Sequence, residues 1–338
     1  MSAPRRPRLL LLDDTERLVR TAPGFARIAG LADTTALDVP LAQVSEPELR
    51  DVRVLLAIRE RTRLDRATLD RLPNLELVLQ TGGHAYHVDA AAAAERGITV
   101  VLWRRHRAVQ AAMVELVFGL AIAALRQFPE AVRAGDDGGW PRLTGATLWG
   151  RRLGVLGMGP HGREVARLGR AFGMEVVAWA RPGSPPPTDD VPRLGLDELL
   201  ATSDVVTVHL RLSAESRGLL GERELPLMKP GAVLVNTARG AIVDEVALYR
   251  VLVEGPLRAA GLDVYVEEPL PTASPLRTLP NVMLTPHVGW TVQEVFAEFA
   301  DGAADQLVDY LRHDLDPAEL AFPSEAGVVV HPVGGLRT

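Results

Sequence analysis

"LGVLGMGPHGREVARLGRAFG", residues 153–173, decides the fold. An apolar run ends at Leu156, and Gly157, Gly159 and Gly162 then form a G-x-G-x-x-G that opens a helical pattern. The first glycine permits a tight turn, the second lets backbone approach a pyrophosphate, and the third lets helix and strand pack closely. The positive end of the helix then faces the phosphates. Pro160 and His161 sit inside the turn, where His161 is expected only to cover the pyrophosphate. Alone the pattern is weak; directly after a strand and before a helix it points to NAD(H) or NADP(H). The strand after it is expected at "EVVAW", 175–179. NAD sites usually carry a carboxylate at the end of that strand, for the ribose hydroxyls. Here Ala180 and Arg181 follow instead. A guanidinium suits a 2′-phosphate, which tilts the expectation slightly towards NADP(H).

Working outward, short apolar runs alternate with helical patterns along most of the chain, the signature of βαβ units on parallel sheets. One series of strands is expected near 8–12, 52–57, 76–80 and 98–102, with "VDAAAAAERG" as a helix among them. A second series runs through 153–159, 175–179, 204–209, 232–236, 259–264 and 281–285. A long helix over about 109–127 joins the two, with Met113, Leu116, Val117, Leu120 and Leu125 at near-helical spacing. Residues 134–146 and 181–190 read as surface loops, and a last helix over 291–312 leads to a Pro- and Gly-bearing tail. The expected fold class is α/β, two Rossmann-like doubly wound domains with a cleft between them. Their expected bounds are 1–103 plus 290–338, and 104–289.

The bulk composition narrows the function. The chain has 338 residues, 47% hydrophobic and 24% charged, as in ordinary globular proteins. A net charge of −6 argues against a nucleic-acid or acidic-membrane partner, because no broad positive field is available. With no cysteine, disulfides and thiolate chemistry are excluded. No spaced His, Asp and Glu set resembles a metal site, so no metal is expected. No apolar run is expected to reach the roughly 20 residues of a membrane span. The four leucines at 9–12 are cut short by Asp13 and Asp14, so they read as a first buried strand rather than a signal core. The cytoplasm is the expected compartment. Lys229 is the single lysine, which suggests codon bias rather than mechanism.

Hydride transfer at a carbonyl needs a proton donor, a cation near the oxygen and a nicotinamide held against the carbon. "LVNTARGAIVDEVAL" places Arg239 just past a buried strand, at the strand end where ligands bind in such sheets. Its planar fork suits a carboxylate. "GLDVYVEEP" places Asp263, Glu267 and Glu268 in the same way, and "TPHVGW", 285–290, places His287. Taken singly, these would be a surface ion-pair member, a solvated loop acid and a loop histidine. Together, at successive strand ends of one sheet, they point to catalysis.

The chain resembles the D-isomer-specific 2-hydroxyacid dehydrogenase family. The resemblance runs from "IRERT" (58–62) through "LPNLELVLQTGG", "LGVLGMGPHG", "SDVVTVHL", "MKPGAVLVNTARGAIVDEVAL", "LDVYVEEPLP" and "LPNVMLTPHVG". It implies an NAD(P)-dependent oxidoreductase that interconverts a 2-oxoacid and a D-2-hydroxyacid. The domain of 1–103 and 290–338 would bind substrate, and that of 104–289 the dinucleotide. Arg239 would bind the carboxylate and polarise the keto oxygen. His287 would exchange the proton, and Glu268, the acid directly before Pro269, would bond it and favour its imidazolium form. Glu267 is the less suited partner, because the family's acid immediately precedes the proline. Asp263 would hold the nicotinamide carboxamide, His209 would touch the cofactor, and Ala238 and Gly289 would border it. Backbone amides of Gly82, Gly83 and His84 would cradle the carboxylate from the other domain. The family also implies a homodimer through the nucleotide domain, with the 109–127 helix and the Trp140 loop as contacts. Formate or phosphite oxidation, or a cofactor-sensing corepressor role, are the competing functions; Glu268 leans against formate enzymes, which place an amide beside the histidine.

Three departures stand out. "LWRRHRAVQAAMVE" is about two residues longer than the family's segment there, and it carries Arg104, Arg105, His106 and Arg107. Arg104 and Arg105 are therefore expected to offer a site for a second anionic group on the substrate, such as a phosphate, phosphonate or carboxylate. The second departure is the missing acid at Ala180. In the third, Arg211 stands where many relatives carry a proline after the histidine.

Overall fold

The structure of the protein is a computed structural model, and it describes residues 6–104, 107–181 and 190–322. Arg105, most of the loop expected at 181–190 and the tail from 323 lie outside the described residues. The chain divides into two compact units, Met1–Ala108 with Thr291–Thr338, and Val109–Trp290.

The first unit holds strands β1 (Arg8–Leu12), β2 (Asp33–Ala36), β3 (Val52–Ala57), β4 (Leu77–Gln80) and β5 (Thr99–Leu102) in one sheet of order β2-β1-β3-β4-β5. All four pairings are parallel. Helices α1 (Pro23–Leu31), α2 (Glu46–Leu49), α3 (Arg66–Asp70) and α4 (Ala90–Glu95) connect the strands. Strand β2 is absent from the expectation above. Its sequence, DTTA, is polar, and it alternates exposed and half-buried residues as an edge strand does. Central strands such as β3 are apolar on both faces, which is why they read clearly.

The second unit holds β6 (Arg152–Leu156), β7 (Glu175–Trp179), β8 (Val205–Val208), β9 (Val233–Asn236), β10 (Ala259–Leu262) and β11 (Val282–Leu284), in the order β11-β10-β9-β8-β6-β7. It is parallel throughout. Successive residues of β9 serve opposite faces: Leu234 packs into one apolar cluster, Val233 and Val235 into another. Helices α5 (Arg107–Leu125), α6 (Phe128–Asp136), α7 (Pro160–Ala171), α8 (Leu196–Thr202) and α9 (Glu245–Val253) flank the sheet, and α10 (Gln293–Arg312) returns to the first unit.

Two expectations change here. Helix α6 begins in a stretch taken for chain and loop: Gln127 turns the backbone left-handed, and Pro129 at its first turn starts a new helix. Helix α5 is long and apolar enough to cross a membrane by length and composition, contrary to the expected absence of such a run. Its apolar surface has a use inside the unit. Val114, Val117, Leu120, Ala121 and Ala124 pack against Leu153 and Val155 of β6 and Val233 and Val235 of β9.

Candidate active site

Because every strand of the second unit runs the same way, the segments following β6, β9, β10 and β11 emerge on one edge of the sheet. At β6 the backbone turns at Gly157, whose φ of +100° is open to glycine. A Cβ there would also lie 2.8 Å from the His209 carbonyl oxygen. At Gly162 a Cβ would fall inside the Gly157 carbonyl, so helix and strand approach more closely than any side chain allows. Gly159, just before Pro160 opens α7, has open space where its Cβ would stand. Beside the turn, the Nε2 atoms of His161 and His209 are buried without a partner among the described residues. Burial pushes the His161 imidazole down, and burial together with His161 pushes His209 down to about 3. An open backbone cradle at a helix start, bordered by neutral polar nitrogens, fits a dinucleotide pyrophosphate.

Asn236 closes β9 and shapes the segment after it. Its Oδ1 accepts from the Ala238 amide at 3.0 Å, and its Nδ2 donates to the Arg239 carbonyl at 3.0 Å. The Arg239 side chain is exposed and donates to the Ala238 carbonyl at 2.6 Å. Gly240 presses against the segment after β10 so tightly that a Cβ would overlap the Tyr265 backbone. The Arg239 segment is thereby packed against the one bearing Asp263 and Glu268.

That second segment is itself fastened. The Tyr265 hydroxyl lies 3.1 and 2.8 Å from the Leu262 and Thr285 carbonyls and shares its one proton between them, bridging the ends of β10 and β11. The Tyr265 amide donates to Glu268 Oε1 at 2.9 Å, leaving Oε2 to meet His287 Nδ1 at 2.7 Å. Asp263 is fully buried and accepts from the Val288 and Gly289 amides at 2.8 and 3.0 Å and from the Thr285 hydroxyl at 2.6 Å. Burial raises its carboxyl above the usual range, against the pull of these bonds. His287 itself has φ +55°, a left-handed conformation costly for a side-chain-bearing residue. The clamp on either side holds it there. A Cβ at Gly289 would lie 2.5 Å from Met113 Sδ and 3.1 Å from Asp263 Oδ2, so a side chain there would have to push the Met113 thioether aside.

In the first unit, Gly82, Gly83 and His84 follow β4, with Gly82 buried, Gly83 exposed and His84 half-buried. His84 Nδ1 lies 3.2 Å from Glu60 Oε1, and its ring stacks on Tyr86 with centroids 4.3 Å apart. Arg104 is exposed just beyond β5. Ala180 and Arg181 follow β7 as expected, and Arg181 is drawn to Ser213 and Glu215.

Comparison with known proteins follows the same pattern. The family profile described as D-isomer specific 2-hydroxyacid dehydrogenase, NAD binding domain, matches residues 118–289. A glyoxylate reductase of Aeropyrum pernix is 38% identical over 269 residues, covering 75% of this chain and 79% of the relative. The chain belongs to the D-isomer specific 2-hydroxyacid dehydrogenase family. Within that family, a D-3-phosphoglycerate dehydrogenase of Methanocaldococcus jannaschii is 35% identical over 82% of this chain but only 53% of its own length. The chain thus spans about half the length of the phosphoglycerate dehydrogenases it matches. Among solved structures, a phosphoglycerate oxidoreductase from Vibrio cholerae superposes with a TM-score of 0.77 at 32% identity, covering 90% of this chain and 99% of that one.

Several residues of this family member escaped sequence reasoning. Asn236, Tyr265 and Thr285 shape the segments that carry Arg239, Glu268 and His287, and Glu60 partners His84. Asn236 and Tyr265 stand within the motifs quoted for their neighbours, so a polar residue at a strand end was the available signal. Glu60 stands within "IRERT", but nothing in that stretch marks its pairing with His84, 24 positions on.

Proposed function

We propose that the protein is an NAD(P)-dependent oxidoreductase that interconverts a 2-oxoacid and a D-2-hydroxyacid. The observation that carries this is the 2.7 Å bond between His287 Nδ1 and Glu268 Oε2, on the sheet edge that also bears Arg239. A nicotinamide dinucleotide bound at this site would supply or take the hydride at the substrate carbon. With Nδ1–H donated to Glu268, Nε2 is the nitrogen left to exchange a proton with the substrate oxygen. In reduction it gives that proton, and in oxidation it takes it back. Arg239 binds the substrate carboxylate and draws charge on to the keto oxygen; among the described residues no carboxylate competes for its guanidinium. Asp263, whose three bonds leave one acceptor direction open, would hold the nicotinamide carboxamide. Ala238, His209 and Gly289 would border the cofactor, and Gly157, Gly159 and Gly162 would hold its pyrophosphate.

The first unit is the substrate domain in this proposal, with the amides of Gly82, Gly83 and His84 cradling the carboxylate. Arg104 and Arg105 receive a second anionic group. Assembly is as a homodimer through the nucleotide-binding unit, in which Trp140 and Trp149 are 96% and 77% exposed and Phe128 and Val132 are also exposed.

The test is oxidation of NADH and NADPH by the purified chain with glyoxylate, hydroxypyruvate and phosphonopyruvate. Turnover with at least one 2-oxoacid is expected. Tight dinucleotide binding without turnover of any 2-oxoacid would overturn the proposal in favour of a cofactor sensor. Unchanged Michaelis constants for dianionic substrates in Arg104→Ala would remove the second anion site.

A further inference from the structure

The end of β7 carries no carboxylate, but a glutamate from another part of the chain lies beside the arginine that follows it. Strand β6 lies between β7 and β8, so the Gly157 turn emerges flanked by the segments that follow those two strands. From the first, Arg181 Nη1 reaches Ser213 Oγ at 3.0 Å and Glu215 Oε2 at 3.5 Å. From the second, Ser213 Oγ donates to Glu215 Oε2 at 2.6 Å. The turn carrying them is fixed from below: buried Ser216 accepts from the Ser213 amide at 2.8 Å and donates to the Arg211 carbonyl at 2.8 Å. The Ser213 hydroxyl thus joins a cation and an anion at the place where a Rossmann sheet receives the adenosine ribose. Glu215 is held ionised chiefly by its bond from Ser213, with Arg181 a smaller contributor.

Resting on the dinucleotide site of the proposed function, we propose that Glu215 selects NAD(H) over NADP(H), acting as the ribose-side carboxylate that the end of β7 lacks. A ribose hydroxyl can donate to Glu215. A 2′-phosphate brings about −1.5 to −2 charges beside that carboxylate, and it must displace Glu215 from Arg181 before using the guanidinium itself. Without the carboxylate, Arg181 and Ser213 are left as a phosphate site. Arg181 alone tilts the expectation towards NADP(H); the contact with Glu215 reverses it.

The test measures dissociation constants of NADH and NADPH by nucleotide fluorescence, in the wild type, Glu215→Gln and the double variant Glu215→Gln/Arg181→Ala. The wild type is expected to bind NADH about tenfold more tightly than NADPH. Glu215→Gln should tighten NADPH about tenfold while moving NADH by less than about threefold, and the double variant should lose that gain. Position 215 is 71% exposed at the side chain, so the substitution leaves the fold intact. Equal affinities in the wild type, or an unchanged NADPH constant in Glu215→Gln, overturn the selector. Binding of neither dinucleotide overturns the proposed function with it. The expected ratios without 2-oxoacid turnover support the selector and overturn only the oxidoreductase.

Discussion

Each unit presents a histidine paired with a glutamate, and the two pairs are built differently. In the first unit His84 lies 3.2 Å from Glu60, whose other oxygen lies 3.6 Å from Arg59 Nε. In the second, His287 lies 2.7 Å from Glu268, whose other oxygen accepts a backbone amide at 2.9 Å. A carboxylate shared with a guanidinium has its charge largely balanced already. One anchored by an uncharged amide keeps its charge for the imidazole. The rings differ too: His84 is stacked on Tyr86, whereas His287 is displayed by a left-handed backbone between two clamped residues. This difference supports the proposal that His287 exchanges the proton, with a positioning part for His84.

The largest effect should come from His287→Asn, a substitution that tolerates the left-handed backbone. It is expected to lower kcat about a thousandfold with 2-oxoacid and nucleotide saturating. His84→Asn should lower kcat by less than about tenfold and act mainly on KM; the opposite ranking would exchange the two roles. Next comes Gly240→Ala, which drives a methyl into the Tyr265 backbone and should cost about 3 kcal/mol in denaturant unfolding. Its counterpart Gly82→Ala meets flexible side chains, the nearest at 3.2 Å from Gln80 Nε2, and should cost under about 1 kcal/mol. Asp263→Asn turns an NH2 towards one of the two amides now bonded, so about 2 kcal/mol of stability and much of kcat should be lost together. A stable but inactive variant would mean that Asp263 serves the nicotinamide alone.

A further effect, of about the size of the Gly82 change, concerns acid. His209 falls from an ordinary 6.5 to about 3 on folding because burial disfavours its charge. Between those values the unfolded chain binds the extra proton, so stability present at neutral pH declines as pH drops below 6.5. Between pH 7 and 5 the decline should be about 1 kcal/mol, discounted for partial exposure of the residue. It should shrink in His209→Asn when unfolding midpoints are compared.

Legibility in the sequence followed burial and local spacing. The glycines at 157, 159 and 162 and the strand ends carrying Arg239, Asp263 and His287 declare themselves because each signal is confined to a few adjacent residues. Strand β2 did not, since its four residues owe their conformation to pairing with β1 rather than to their own composition. Helix α6 was obscured by Pro129, which marks a break in a continuing helix but a beginning in a new one. Asp263 was legible as a site residue, but its clamp on residues 285–289 depends on backbone amides that no spacing reveals. The Glu215–Arg181 pair spans 34 positions and two loops, and only the strand order brings it together.

The positive φ at residue 287 has a practical corollary. Glycine adopts that backbone geometry without penalty, so His287→Gly would empty the ring's space while leaving the peptide path relaxed. Glu268 would still line the vacancy, bonded by the Tyr265 amide. Free imidazole diffusing into such a variant would find a ready-made acceptor, and chemical rescue by small azoles of graded basicity would measure how proton delivery scales with donor strength.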